Sequence, residues 1–194
     1  MSPSDQEKIS GAEDLLLEGA LEVFAKYGFV KTSMSDIAAE SSVSRTSLYK
    51  HFPTKEHVFK ALSDRMNSQV YAEVLEAYSA AADPEDKLLA VVNARVNWVY
   101  DLLHRSEFAR ELINEKNKIC GKQVLAANDR FSGVIQKLLA EIVSTQSKAT
   151  IGSLAQVLIG AVNGILESAN SAQQAKDDVQ LLVKIYLAGI ATPG

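Results

Sequence analysis

Eight consecutive residues carry the most suggestive chemistry in the chain. Ser44-Arg45-Thr46-Ser47-Leu48-Tyr49-Lys50-His51 holds a single aliphatic side chain, Leu48, among donors and acceptors of hydrogen bonds. Such groups meet phosphate oxygens and base edges. On pattern alone, a short solvated surface helix is the alternative. No catalytic set competes with this segment, and no enzyme is expected. The three histidines, His51, His57 and His104, have no second His, Cys or paired carboxylate at metal-ligand spacing, so neither metal nor cofactor is expected. The one cysteine, Cys120, has no activating base beside it and reads as a small buried hydrophobe. Gly160 and Gly164 form a Gly-x-x-x-Gly spacing, which predicts close helix packing.

The elements that must position this segment are helices. With 10 Gly and 4 Pro in 194 residues, and abundant Ala and Leu, the composition favours helix and leaves few tight turns. Ser10 with Glu13 predicts the cap of a first helix whose face is Leu17, Ala20, Leu21 and Phe24, ended by Gly28. Ser33 with Asp36 caps a short second helix, and Ser44 caps a short third that Pro53 terminates. Thr54 caps a long fourth helix with Val58, Leu62, Met66, Val70 and Val74 as its stripe. Asp83-Pro84 opens a fifth, with Leu88, Val92, Val96, Val99 and Leu103. Ser106 is a candidate cap for a sixth, which ends near Gly121. The seventh spans roughly 122–144 with Leu125, Phe131, Ile135, Leu138 and Ile142, the eighth roughly 148–169 and the ninth roughly 174–190.

Net charge is −4, which does not announce nucleic acid. Residues 26–60 are locally basic, with six cations against three carboxylates. The polar start of the chain shows no signal region, and no apolar run of about 18 residues stands out. A cytoplasmic protein without a membrane partner is expected.

Two very short helices joined by a tight turn fit a helix-turn-helix, whose second helix stands out to enter a major groove. The segment resembles a known family. Ala20-Leu-Glu-Val-Phe24, Gly28, Thr32-Ser33, Asp36-Ile37-Ala38, Val43-Ser44, Leu48-Tyr49-Lys50-His51-Phe52 and Lys55-Glu56 resemble the DNA-binding domain of the tetracycline-repressor (TetR) family. The turn departs from the family pattern: Ser42 stands where glycine is usual, so it must take glycine's conformation or alter the turn. Before the first helix Glu13 and Asp14 replace the usual basic residues.

The resemblance implies an all-α protein of about nine helices, with a helix-turn-helix domain at 1–53 and a ligand-binding and dimerisation domain at 54–194. It implies base reading by Ser35, Arg45 and Thr46, with phosphate contact the alternative for Arg45 and a merely solvated hydroxyl the alternative for Ser35. It implies phosphate contacts by Ser33, Ser47, Tyr49, Lys50, His51 and Lys55, with Ser44 at the start of the recognition helix. Packing or capping is the alternative for Tyr49 and His51, while Leu48 and Phe52 are assigned to the core. The last two helices are apolar over more than one face and would pair with their copies in a homodimer through Leu154, Leu158, Val162, Val183 and Leu187, with simple burial within one subunit the alternative. Asn93, Asn97 and Tyr100 recur at helical spacing beside Trp98. With Tyr71, Phe108 and Phe131 they suggest a pocket for a small, mostly apolar effector, although the two asparagines could equally face water. The expected function is a ligand-released repressor on an inverted-repeat operator in double-stranded DNA. The alternative is an all-helical adaptor whose helix-turn-helix does not bind DNA.

Overall fold

The computed structural model describes the backbone of residues 3–143 and 148–191, and the side chains of 11–143 and 150–190. Among the described residues every regular element is a helix: α1 (Pro3–Lys31), α2 (Met34–Glu40), α3 (Arg45–His51), α4 (Lys55–Ala80), α5 (Pro84–His104), α6 (Ala109–Ile119), α7 (Gly121–Ile142), α8 (Lys148–Ser168) and α9 (Ala172–Ala191). The first helix therefore begins well before Ser10, whose expected capping side chain lies outside the described residues, as does residue 144. Its regular course breaks at Gly28, with φ 77° and ψ 170°, a conformation essentially restricted to glycine. A Cβ there would come within 2.7 Å of the Glu111 carboxylate.

The chain forms two compact units. The first comprises residues 1–66 and 103–124, the second residues 67–102 and 125–194. The first is larger than the expected 1–53 segment, for a physical reason. Val58, Phe59 and Leu62 of α4 are buried with Leu16, Leu17, Ala20, Phe24, Ile37, Leu48 and Phe52 in one core, and Cys120 joins them. Phe24, Phe29 and Phe59 form an aromatic triangle with centroids 4.8–5.6 Å apart. In this unit α6 also ties down the end of α1: Glu111 Oε1 accepts the Val30 N–H at 3.0 Å, and the Ser106 hydroxyl donates to Ala25 O. Ser106 does not cap α6 directly. It accepts the Phe108 N–H just ahead of the helix, and Phe108 occupies the cap position.

The second unit is a helical bundle whose core holds Val74, Leu88, Val92, Val96, Ile135, Leu138, Leu158, Val162, Val179 and Val183. Asp83 and Pro84 open α5 as expected, the Glu85 N–H donating to Asp83 Oδ1 at 2.9 Å. Leu125, expected on the inner stripe of α7, is instead 64% exposed. Residues Thr150–Ser168 of α8 are long and apolar enough, by length and composition, to cross a membrane, contrary to the sequence expectation. The apolarity has two sources: a core side with Leu158, Val162 and Leu166, and an outer side with Val157, which is 63% exposed.

Candidate nucleic-acid interface

Helices α2 and α3 are short because each is closed at both ends by its own sequence. At the start of α2, Ser33 Oγ accepts the Asp36 N–H at 3.3 Å and the Asp36 carboxylate accepts the Ser33 N–H at 2.8 Å. The Ser33 hydroxyl also donates to that carboxylate, and these bonds hold the Asp36 pKa below the usual carboxylate value. Ser41 and Ser42 end the helix. Ser42 has φ 54°, the left-handed conformation expected from its place in the turn. The turn lies tight against α1, since a Cβ at Gly19 would meet the Ser41 backbone at 2.8 Å. Ser44 then caps α3 by accepting the Ser47 N–H at 3.2 Å, and Phe52, ahead of Pro53, leaves the helix in an extended conformation.

This geometry sorts the side chains of α3. Leu48 is fully buried and Phe52 nearly so, anchoring the helix in the core. Arg45, Thr46, Tyr49 and Lys50 are exposed, while Ser47 and His51 are half-buried. Tyr49, at 54% exposure, is not a core residue. Arg45 makes no hydrogen bond or ion pair among the described residues, although its charge reaches Asp36 and helps lower that pKa. Ser35 is half-buried on α2 and Ser33 is exposed, its hydroxyl engaged in the cap. The result is a short helix seated by Leu48 and presenting a cationic and hydroxylic outer face.

Lys55 stands apart from the phosphate contacts expected of it. Its Nζ donates to Phe29 O at 2.6 Å, Thr32 O at 2.7 Å and Val30 O at 3.3 Å, and lies 4.4 Å from the centre of the Phe29 ring. All three ammonium hydrogens are spent on the backbone that follows the Gly28 break. Lys55 fastens α4 to the end of α1. Sequence reasoning also missed Glu111 and Ser106, which close the same region from more than 80 residues downstream, and Arg65, whose guanidinium lies 3.6 Å from both Asp14 and Glu18. Nothing local in sequence marks these long-range partners.

The expected effector residues are not brought together as a set. Phe108 belongs to the first unit, where the Lys31 ammonium lies 6.0 Å from the centre of its ring, because its segment packs there with α6. In the second unit Tyr71 lines an open cleft of about 320 Å³, with the Arg130 guanidinium 5.3 Å over its ring. Phe131 is buried and lines a different cleft, of about 400 Å³. Tyr100 is buried, Trp98 packs half-buried against the core, and Asn97 is half-buried. Asn93 does not simply face water: its Oδ1 is buried and has no hydrogen-bond partner among the described residues.

The expected dimer residues also need correction. Leu158, Val162 and Val183 are at most 4% exposed, packed in the core of the second unit, and Leu154 and Leu187 are half-buried. The outward apolar residues are Val157, Leu181 and Ile185, each 56–63% exposed. Gly160 and Gly164 are open as well, since a Cβ at either would meet nothing within 4 Å; among the described residues they mark no close helix contact.

Residues 16–62 match the family model for the bacterial regulatory proteins of the tetR family. The chain is 25% identical over 154 residues to the HTH-type transcriptional activator FasR of Mycolicibacterium smegmatis, covering 79% of this chain and 68% of that protein. It is 32% identical over 68 residues to an HTH-type transcriptional repressor of Mycobacterium tuberculosis, 35% of each chain. A TetR-family regulator from Mesorhizobium loti shares the fold, with a TM-score of 0.74 at 18% identity over 93% of this chain and 97% of that one. Sequence match and fold agree with the geometry of α2 and α3: residues 16–62 match the DNA-binding domain of the tetR family, and the chain has the fold of a TetR-family regulator.

Proposed function

We propose that the protein is a cytoplasmic, homodimeric repressor that binds an inverted repeat in duplex DNA through α3 and is released by a small molecule held in the second unit. The observation that carries this reading is the division of α3: Leu48 is buried while Arg45, Thr46, Tyr49 and Lys50 are exposed. Arg45 suits bidentate contact with guanine, with Thr46 and Ser35 beside it. Lys50, Tyr49, His51, Ser47 and the capping serines Ser33 and Ser44 suit the backbone phosphates. No catalytic role is proposed for any of them.

The dimer in this reading uses the outer face of α8 and α9, with Val157, Leu181 and Ile185 rather than the buried Leu158, Val162 and Val183. A twofold axis relating two such faces would set two α3 helices on half-sites about one helical turn, or a multiple, apart. For the effector, the buried and unpaired Asn93 Oδ1 supports a pocket with a few polar groups in apolar walls.

The deciding experiment is a titration of labelled duplex, carrying the DNA upstream of the gene, at several salt concentrations. Arg45→Ala should weaken the specific site by about 1–3 kcal/mol and relax preference at one base pair, leaving non-specific binding nearly unchanged. Equal loss on specific and random duplexes would remove Arg45 from base reading. No salt-dependent binding to any duplex would remove the DNA-binding function.

A further inference from the structure

Arg95 lies on the middle of α5 between the buried Val92 and Val96. Its side chain is half-buried, and loss of hydration alone pushes its pKa below the usual arginine value. A withdrawn guanidinium is ordinarily paired with a carboxylate. Here the Arg95 Nη2 donates to the neutral Asn128 Oδ1 at 3.1 Å, and the guanidinium carbon lies 4.5 Å from the centre of the Phe131 ring. No carboxylate stands within ion-pair distance of it among the described residues. Asn128 and Phe131 hold the guanidinium plane in place and leave the rest of its donor fork unspent.

That fork borders an open cleft of about 400 Å³ whose lining is drawn from α5, α7 and α8. Phe131 and Ile159 supply an apolar side, and Ser132, Gln156 and Asn163 supply polar groups. Asp129 is the one carboxylate in the lining. Its charge disfavours a multiply charged anion such as phosphate, while a monoanion can be held by the fork. A planar guanidinium matches the two oxygens of a carboxylate, and a ligand carboxylate would supply the missing counter-charge.

We propose that Arg95 is the anion receptor of a site for a small organic monocarboxylate, whose hydrocarbon body lies against Phe131 and Ile159. The inference deepens the effector reading above and rests on it only for the step from binding to DNA release. It replaces the expectation of a mostly apolar effector with an amphipathic acid.

The test uses matched acids and amides: benzoate against benzamide, and octanoate against octanamide. Binding to the full chain is followed by calorimetry and by the fluorescence of Trp98, the one tryptophan, three residues along α5 from Arg95. At least one acid should bind saturably and at least tenfold more tightly than its amide. Arg95→Gln should abolish that preference, and Arg95→Lys should keep part of it. Circular dichroism checks that both variants fold. Equal affinity for acid and amide, no saturable binding of either acid, or unchanged acid affinity in a folded Arg95→Gln protein would each overturn the site. So would a loss of dimer on Arg95→Gln without acid binding by the parent, because the guanidinium would then answer a carboxylate of a second copy. An acid that binds through Arg95 but leaves DNA affinity unchanged keeps the site and removes only the effector reading.

Discussion

Replacing Lys55 by alanine separates a structural lysine from a DNA-contacting one. The ammonium makes two short bonds, to Phe29 O at 2.6 Å and Thr32 O at 2.7 Å, a longer one to Val30 O at 3.3 Å, and lies over the Phe29 ring. A hydrogen bond to a charged group contributes about 1.5–3 kcal/mol, and an exposed cation–π contact about 0.5–1 kcal/mol. Water reaches this half-buried group and can rehydrate the freed carbonyls, which cuts the sum by roughly half. The expected loss is therefore about 2–3 kcal/mol of stability in the first unit. It is read from urea denaturation of the full chain by far-ultraviolet circular dichroism. The folded variant, at low denaturant, should keep the parent's salt slope for DNA binding, because no phosphate contact is removed. Lys50→Ala should do the reverse, leaving stability nearly unchanged while lowering the slope by about 0.9 for each phosphate released. A Lys55→Ala protein with the parent's denaturation midpoint and a shallower salt slope would refute this account.

The remaining expectations are narrower. Ser42→Gly should stabilise the protein by about 0.5–1 kcal/mol in the same denaturation experiment, since φ 54° strains serine and the added freedom of the unfolded glycine returns part of the gain. Gly28→Ala should cost about 3 kcal/mol, combining a glycine-only conformation with a clash against the Glu111 carboxylate; a change below about 1 kcal/mol would contradict the geometry. Ile185→Asp should give a folded monomer by sedimentation, whereas Leu158→Asp, placed in the core, should unfold the second unit; a dimeric Ile185→Asp protein would rule out the outer face as the interface. Asp36 titrates low in the fold because Ser33 bonds its ionised form, so its stabilising effect is present above the ordinary carboxylate range and is lost as pH falls through the depressed value. Ser33→Ala should raise the Asp36 pKa by carboxyl NMR, and an unmoved pKa would show that the cap is not its cause.

What was legible in the sequence follows from range. Ser33 with Asp36, Ser44 with Ser47 and Asp83 with Glu85 are caps within three residues, so spacing alone reveals them. The burial of Leu48 and Phe52 and the unusual backbone of Ser42 follow from their register in the motif. The bonds of Lys55 were not legible because a lysine beside a basic segment reads as a free charge, while its acceptors lie 23–26 residues back. On α8 and α9 apolar residues surround the helix, so periodicity could not tell Leu158, which faces the core, from its neighbour Val157, which faces out. Phe108 went to the wrong unit because nothing local shows that residues 103–124 return to the first one.

That return has a consequence for synthesis. The helix-turn-helix is finished within the first 52 residues, yet its unit also needs Ser106, Glu111 and Cys120. At 5–20 residues per second, roughly 4–15 s separate the emergence of His51 from that of Val124. During this interval the aromatic triangle can form, but the Val30 N–H has no Glu111 and the core has no Cys120. A nascent chain would hold a recognition helix with an unfinished seat, so the DNA-reading unit closes only when most of the chain has been made.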